Sequence, residues 1–189
     1  GHHVALLDNF MYGYDPILHL TSHPRLEVIK RDIRHEDMSY LGGRDAVFHL
    51  AAISGFPACD ANPHSAQTIN VIATQRLAKA LARDQLLIFA STTSFYGSSG
   101  ERSNEETPIK PVSLYGITKQ EGEKAVMARA NSISLRWATV FGVSSRMRAG
   151  LLVNDFVEKA VNDHTIILYD ADSKRTFMHV NDLVRGYLF

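Results

Sequence analysis

The sequence predicts an α/β fold built on a doubly wound parallel sheet with helices on both faces. Short apolar runs, rich in β-branched and aromatic residues, recur along the chain, as expected of strands buried on both faces. Between them lie segments whose apolar residues step by three and four, the spacing of one buried helix face. Repeated alternation of strand and helix favours parallel strands joined by crossover helices.

The elements follow in order along the chain. The clearest helix spans 63–83, with Pro63 in its first turn and a stripe at Ala66, Ile69, Ala73, Leu77 and Ala80. Further helices are predicted over 113–130 and 151–162, and a polar loop over 97–112 contains two prolines. The predicted strands are VALLD (4–8), LEVIKRD (26–32), AVFHLAA (46–52), LLIFAST (86–92) and ISLRWATVFG (133–142).

Composition excludes several classes of protein. The 189 residues include 20 basic and 20 acidic side chains, so bulk charge indicates neither a nucleic-acid partner nor a membrane surface. No apolar run approaches the roughly 18 residues of a membrane span. A single cysteine, Cys59, rules out an intrachain disulfide and favours a reducing, cytoplasmic compartment. The nine histidines lack metal-ligand spacing, so no metal site is predicted.

The stretch SLYGITK (113–119) sets Tyr115 and Lys119 one helical turn apart on the same face. A phenol has a pKa near ~10, and a nearby ammonium favours the phenolate. Lowering a pKa by about three units takes roughly 4 kcal/mol, which a close, poorly solvated cation and a cofactor charge can supply. The pair would then be a general base with its tuning cation. Such a pair also arises by chance on helix surfaces, and the pair alone leaves both interpretations open.

A second candidate lies at the carboxyl end of the fourth predicted strand, in ASTTSFYG (90–97). Open α/β sheets bind ligands at this edge. Thr92, Thr93 or Ser94 could therefore place a hydroxyl beside the Tyr115 oxygen. The alternative is a turn that is merely rich in serine and threonine.

Together these motifs resemble the extended short-chain dehydrogenase/reductase family, above all its nucleotide-sugar epimerases and dehydratases of the UDP-glucose 4-epimerase kind. ASTTSFYG, then EETPIKPVSLYGITK (105–119) and Glu123, carry the resemblance. It extends over nearly the whole chain, in collinear order, through LLDNF (6–10), RDIR (31–34), FHLAA (48–52), INVIAT (69–74), LRWATVFG (135–142) and RTFMHVNDLVRGYL (175–188).

The resemblance implies a Rossmann-like, NAD(P)-binding fold with part of a smaller C-terminal substrate domain. Residues 1–142 would form the dinucleotide-binding domain without its first strand and helix, 143–174 the start of the substrate domain, and 175–189 a truncated segment returning to the cofactor domain. The family's G-x-x-G-x-x-G fingerprint is not in the sequence. We therefore expect a fragment, cut at both ends, that folds poorly, binds NAD weakly and is inactive by itself.

The same resemblance implies roles for single residues. Tyr115 would be the acid/base, Lys119 would lower its pKa and bind the nicotinamide ribose, and Thr92 would orient the substrate hydroxyl. Asp8 would accept hydrogen bonds from the hydroxyls of the adenosine ribose, a role that favours NAD over NADP. Alternatively, Asp8 could cap a helix or turn. Asp32 would flank adenine, although it could be a solvated loop acid. The remaining cofactor residues would be Asn9, Ile33, Leu50, Ala51, Ala52 and Asn70.

Besides Thr92, the resemblance implies substrate contacts at Thr139, Asn154, Tyr169 and Arg175. Arg175 would bind the diphosphate of a nucleotide sugar, or alternatively form a surface salt bridge. Many nucleotide-sugar enzymes have asparagine where Thr139 stands, which weakens the nucleotide-sugar assignment without removing it.

Thr93 and Ser94 stand where the 4,6-dehydratases place an Asp-Glu pair, which disfavours dehydration, and Ser94 also disfavours the decarboxylases. The leading hypothesis is an NAD-dependent nucleotide-sugar epimerase, expected to be a homodimer through a helix pair that includes 113–130. The alternatives are a reductase or dehydrogenase of a small carbonyl or alcohol, and a non-catalytic cofactor sensor.

Overall fold

The computed structural model describes residues 1–97, 102–169 and 171–189. The predicted loop 97–112 includes 98–101, which lie outside the described residues. The chain divides into two compact units, one formed by 1–13 and 20–136 and the other by 14–19 and 137–189. The described part confirms the predicted α/β fold with parallel strands and helices.

The first unit contains two parallel sheets. Strand β1 (Val4–Asp8) pairs with β2 (Leu26–Lys30), with Val4 opposite Leu26. Strand β3 (Ala46–His49) pairs with β4 (Leu86–Thr92), and β5 (Ser132–Trp137) follows on the other side of β4. Within the described residues β1 and β3 belong to separate sheets. Asp8 lies at the carboxyl end of β1 in the first sheet, and Thr92 lies at the carboxyl end of β4 in the second.

The helix predicted over 63–83 forms three consecutive pieces. These are α2 (Pro63–Ser65), a π-helix (Ala66–Ala73) and α3 (Thr74–Ala80), preceded by α1 (Phe56–Ala61). The predicted stripe is partly buried, with Ala66, Ala73 and Leu77 in the core. Side-chain periodicity does not predict the wider π turns, which are frequent at functional sites.

Helix α4 (Leu114–Met127) begins where Ser113 caps it, because Ser113 Oγ accepts from the Gly116 amide at 3.1 Å. It packs against α3, the π-helix and β4. Its buried face carries Val126 into a cluster with Leu77, Leu87 and Phe89. This cluster is the core that holds α4 against the sheet.

Three predicted strands are shorter than their apolar runs, and the strand in the run 26–32 already ends at Lys30. The run 46–52 leaves the ladder after His49, since the Asn70 side chain binds the backbone of Ile53 a few residues later. The run 133–142 breaks at Ala138 into β5 and a separate strand with another partner. A hydrophobic run shows that residues are buried but not which ladder they join.

The second unit is built on a two-stranded parallel sheet of β6 (Thr139–Phe141) and β7 (Phe177–His179). Helix α5 (Leu152–Asn162) lies between these strands in sequence, and α6 (Val180–Leu188) follows β7. Trp137 packs on Tyr187 of α6 with ring centroids 5.1 Å apart. No helix in the described residues is long and apolar enough to cross a membrane.

Candidate active site

Helix α4 turns Tyr115 and Lys119 toward the interior of the first unit. Tyr115 is half-buried, and Lys119 is 3% exposed. The Lys119 Nζ lies 3.9 Å from the centroid of the Phe89 ring on β4, a cation–π contact. The two residues therefore share the buried side of α4, as predicted from their spacing.

Burial decides the charge of the Lys119 amine. Desolvation lowers its pKa to about 7, while Glu123, one turn further along α4, and Cys59 act in the opposite direction. The neighbouring His49 has its pKa lowered to about 3 by burial and by Lys119, so it is neutral. Its Nε2 lies 2.8 Å from Thr74 Oγ1. The amine is thus the cation that titrates near neutral pH in this part of the core.

Close packing brings α4 to the π-helix at Gly122. A Cβ at this position would lie 2.8 Å from the Asn70 carbonyl oxygen and 3.2 Å from Phe89 Cζ. Only a residue without a side chain allows the backbones to approach this closely. The approach places Lys119, one turn before Gly122, directly over Phe89.

Thr92 ends β4 and caps the turn that follows it, the 3₁₀ turn Thr93–Tyr96. The Ser94 amide donates to Thr92 Oγ1 at 3.1 Å, and Thr92 Oγ1 donates to Ser94 Oγ at 3.0 Å. The hydroxyl thus has a local capping role, the alternative that the sequence left open. Helix α4 contacts both β4 and this turn, so Thr92, Tyr115 and Lys119 lie on adjoining elements.

Three of the predicted cofactor residues meet at the carboxyl ends of β1 and β2. Asn9 Nδ2 lies 3.5 Å from Asp32 Oδ2, and the Arg31 amide donates to the Asp8 carbonyl at 2.9 Å. Asp8 is exposed, and its Oδ1 accepts from the Phe10 amide at 2.7 Å. This bond holds the carboxylate in a turn at the strand end.

Asp32 forms an ion pair within its own loop. Arg34 Nε and Nη2 donate to its two carboxylate oxygens at 2.9 and 2.6 Å. These hydrogen bonds hold the Asp32 pKa well below its usual range, against the opposing effect of partial burial. Ile33 lies between the two residues and is half-buried. The loop after β2 is therefore ordered by its own charges.

Asn70, 1% exposed, ties three elements together from the π-helix. Its Oδ1 accepts from the Ile53 amide at 2.8 Å, and its Nδ2 donates to the Ile53 carbonyl at 3.0 Å and to Thr118 Oγ1 at 3.2 Å. Thr118 lies between Tyr115 and Lys119 on α4. Asn70 thereby fixes the segment after β3 relative to α4. That segment contains the predicted cofactor residues Leu50, which is 57% exposed, Ala51 and Ala52.

Of the predicted substrate residues, Thr92 lies in the first unit, and Thr139, Asn154, Tyr169 and Arg175 lie in the second. Asn154 on α5 is 8% exposed, and its side chain binds the protein backbone. Its Nδ2 donates to the Arg148 carbonyl at 3.0 Å. Thr139 is half-buried in β6, whereas Tyr169 and Arg175 are exposed. The first unit holds the predicted catalytic residues, including Thr92, and the second unit holds the other four predicted substrate residues.

Reasoning from the sequence missed a buried polar cluster behind the candidate site. Glu123 of α4 pairs with Arg136 of β5 at 2.6 Å, and Arg136 Nη1 donates to Tyr96 Oη at 2.7 Å. Burial raises the Glu123 pKa, but the hydrogen bonds that Glu123 accepts from Arg136 and other groups, together with the positive charge of Arg136, outweigh burial and hold the pKa below its usual value. A charged residue inside the apolar run ISLRWATVFG was the signal that pointed to it. Within the described ranges, no group of three His, Cys, Asp or Glu side chains is placed to hold a metal ion.

Comparison with known proteins places the chain in a family. Residues 1–189 match the NAD dependent epimerase/dehydratase family. An uncharacterized UDP-glucose epimerase, YtcB, of Bacillus subtilis is 31% identical over 98% of this chain and 63% of its own. UDP-glucuronic acid decarboxylase 1 of Arabidopsis thaliana is 30% identical over 98% of this chain and 45% of its own.

A solved structure also matches. The UDP-glucuronic acid 4-epimerase of Bacillus cereus, in complex with UDP-glucuronic acid and NAD, has a TM-score of 0.85 at 28% identity, covering 98% of this chain and 64% of that one. The chain thus spans about half to two-thirds of the length of these relatives. It belongs to the NAD dependent epimerase/dehydratase family, whose cofactor is NAD.

Proposed function

We propose that the protein is an NAD-dependent epimerase of a nucleotide-activated sugar, with Tyr115 as its acid/base. The observation that carries this proposal is the placement of Tyr115 and the buried Lys119 on α4, packed against the strand and turn that present Thr92. A phenol, a cation and a hydroxyl on adjoining elements suit proton transfer to a sugar hydroxyl. Relatives named as UDP-sugar epimerases support this choice.

The residues present fit NAD. An exposed carboxylate at the end of a parallel strand, here Asp8, can accept from ribose hydroxyls, and Asn9 lies next to it. Leu50 extends from the carboxyl end of β3 with an exposed side chain suited to an apolar ring. Lys119 would donate to the ribose of the nicotinamide. When bound, NAD supplies the acceptor and donor of hydride.

Tyr115 would take the proton of the sugar hydroxyl as the carbon is oxidised and return it on reduction. The Lys119 ammonium favours the phenolate form, since an opposite charge nearby stabilises the charged state. Glu123 supports this role by helping Lys119 to keep its proton. Thr92 would accept or donate a hydrogen bond at the same substrate oxygen and orient it.

Epimerisation is favoured over dehydration because of the residues after Thr92. Thr93 and Ser94 occupy the turn, and neither side chain can serve as a carboxylate acid or base. Elimination of water needs such groups beside the sugar. With NAD as hydride acceptor and donor, oxidation followed by reduction from the other face would need from this chain only Tyr115 and its supporting residues as proton-transfer groups.

Substrate contacts are proposed for the second unit. Arg175 and Tyr169 are exposed and so accessible to a nucleotide diphosphate, which a guanidinium binds in a bidentate manner. Thr139 and Asn154 would shape the substrate pocket by positioning backbone. Asn154 already does so by holding the Arg148 carbonyl.

The test uses the protein expressed from its complete reading frame. It is incubated with NAD and with UDP-, GDP- and dTDP-sugars, while the C4 configuration is followed by NMR and NADH by absorbance. An epimerase inverts C4 with no net NADH. Tyr115→Phe should then lose turnover by a factor of about 10²–10⁴ while NAD affinity stays within twofold.

Other outcomes would select the alternatives. NADH formed or consumed in proportion to product would indicate a reductase or dehydrogenase. NAD binding without turnover of any sugar would indicate a cofactor sensor. Full turnover in Tyr115→Phe would remove the proposed role of the phenol. The homodimer and the cytoplasmic location stay predictions, to be checked by sedimentation and by fractionation of cells.

A further inference from the structure

The cluster of Arg136, Glu123 and Tyr96 joins the two elements that carry the candidate catalytic residues. Glu123 lies one turn after Lys119 on α4. Tyr96 lies four residues after Thr92, at the end of the turn that Thr92 caps; residues 92–96 are called the Thr92 turn below. Arg136 of β5 contacts both.

The geometry of the guanidinium explains how one side chain can contact both. Its Nε and Nη2 donate to Glu123 Oε1 at 3.0 and 2.6 Å, and the remaining Nη1 donates to Tyr96 Oη at 2.7 Å. Its central carbon lies 5.5 and 5.6 Å from the ring centroids of Phe95 and Tyr96. A planar fork with five donors makes such a double contact, whereas a lysine ammonium does not.

The carboxylate at the other end is equally well placed. Glu123 is 7% exposed, and Ser134 Oγ donates to its Oε2 at 2.8 Å. Both Glu123 oxygens are thus satisfied by β5, which fixes α4 against that strand. A charge pair buried in this way keeps one geometry, because any displacement leaves a charge without its partner.

We propose that Arg136 is a positioning residue that holds the Thr92 turn against α4, with Glu123 and Tyr96 as its two anchor points. The proposal rests on the proposed function for its catalytic consequence. Thr92 is otherwise bonded to Ser94 within its own turn, and the turn is joined to the following loop by the Lys110 amide, which donates to the Phe95 carbonyl at 2.8 Å. Through Glu123, Arg136 adds a side-chain link from this turn to the helix that carries Tyr115 and Lys119.

Tyr96→Phe tests the link with the smallest change. It keeps the ring beside the guanidinium and removes the oxygen that accepts from Arg136. Tyr40→Phe is the matched control, because it also removes one tyrosine hydroxyl. That hydroxyl contacts Met38 Sδ at 3.0 Å and lies far along the chain from the candidate site. Hydrogen–deuterium exchange of the Thr92 turn and turnover of the sugar substrate are measured for both.

In Tyr96→Phe we expect the amides of the Thr92 turn to exchange about tenfold faster, with α4 unchanged. We expect kcat to fall about tenfold, while KM and NAD affinity stay within twofold, because misplacement affects chemistry more than binding. Tyr40→Phe should leave exchange in the turn and kcat unchanged. A stabilising role alone would not produce this split between kcat and KM.

A double-mutant cycle then tests whether Tyr96 acts through Arg136. Arg136→Lys should lower kcat at least as far as Tyr96→Phe, and the double variant should match Arg136→Lys within about twofold. The proposal is wrong if the kcat losses of the two single variants multiply in the double variant. It is also wrong if amide exchange in the Thr92 turn of Tyr96→Phe matches that of the Tyr40→Phe control. If the unmodified protein turns over no nucleotide sugar, the proposed function fails separately, and the exchange data still decide whether Arg136 holds the turn.

Discussion

Replacing Lys119 by methionine should stabilise the protein while removing the proposed catalytic cation. Lys119 is 3% exposed, and burial lowers its pKa from 10.5 to about 7. At pH 7 this difference corresponds to roughly 4 kcal/mol at most, since each pKa unit is worth about 1.4 kcal/mol. The cation–π contact with Phe89 stabilises the folded protein by about 1–2 kcal/mol, and methionine loses this contact. Methionine fills similar space without a charge.

We therefore expect Lys119→Met to raise the free energy of unfolding by about 1–3 kcal/mol, which corresponds to a rise in Tm of roughly 2–12 °C for a chain of this size. Function and stability would thus oppose each other at this position, as is common at active sites. Lys124→Met on the exposed side of the same helix serves as the control and should change Tm by less than about 2 °C.

The pH dependence separates desolvation from ordinary packing. The unfolded chain keeps the lysine proton up to a pKa of 10.5, whereas the folded protein loses it near 7. Between these values the unfolded state binds more protons, so this group makes the stability of the unmodified protein rise with pH from about 7 to 10.5 and leaves it level below about 7. The advantage of Lys119→Met should therefore be largest at pH 7 and below and should shrink by up to about 1.4 kcal/mol per pH unit toward pH 9.

Chemical unfolding at pH 6, 7, 8 and 9 measures this difference, and groups shared by both proteins cancel from it. Methionine that lowers stability at pH 7, or a difference that does not change with pH, would refute the view that Lys119 is a strained buried cation.

Three further changes test the surrounding packing. Gly122→Ala should lower stability by about 1–2 kcal/mol in thermal unfolding, because a Cβ 2.8 Å from the Asn70 carbonyl oxygen costs more than the helix propensity gains; a raised Tm would contradict this close approach. Asn70→Ala should cost about 2–4 kcal/mol and speed exchange of the Ile53 amide, which loses its acceptor; an unchanged exchange rate would show another partner. Asn154→Ala should cost about 1–3 kcal/mol in thermal unfolding with NAD affinity unchanged, and weakened NAD binding would contradict a role confined to the second unit.

Much of the architecture could be predicted from local pattern. Two of the predicted strands, 4–8 and 86–92, have the observed bounds, and the helices over 113–130 and 151–162 differ by at most three residues at an end. The spacing of Tyr115 and Lys119 placed both on the buried side of α4. These features follow from the helical and strand periods, which depend only on neighbouring residues.

The candidate site was predicted less completely. Sequence reasoning placed Asp8 and Asp32 at strand ends, but not the pairing of Asp32 with Arg34. It did not predict that the Asn154 side chain holds the Arg148 carbonyl, and the substrate role of Asn154 stays a prediction. Such contacts depend on how each loop folds back, and residue type alone does not specify that.

By itself, the sequence determined the alternation of strands and helices up to residue 162 and the face on which Tyr115 and Lys119 lie. Only the tertiary structure decided that the Lys119 amine rests on Phe89 with a pKa near 7, and that Arg136 joins Glu123 to Tyr96. The reason is physical: periodicity is set by residues three or four apart, whereas desolvation and charge pairing arise between residues brought together from distant parts of the chain.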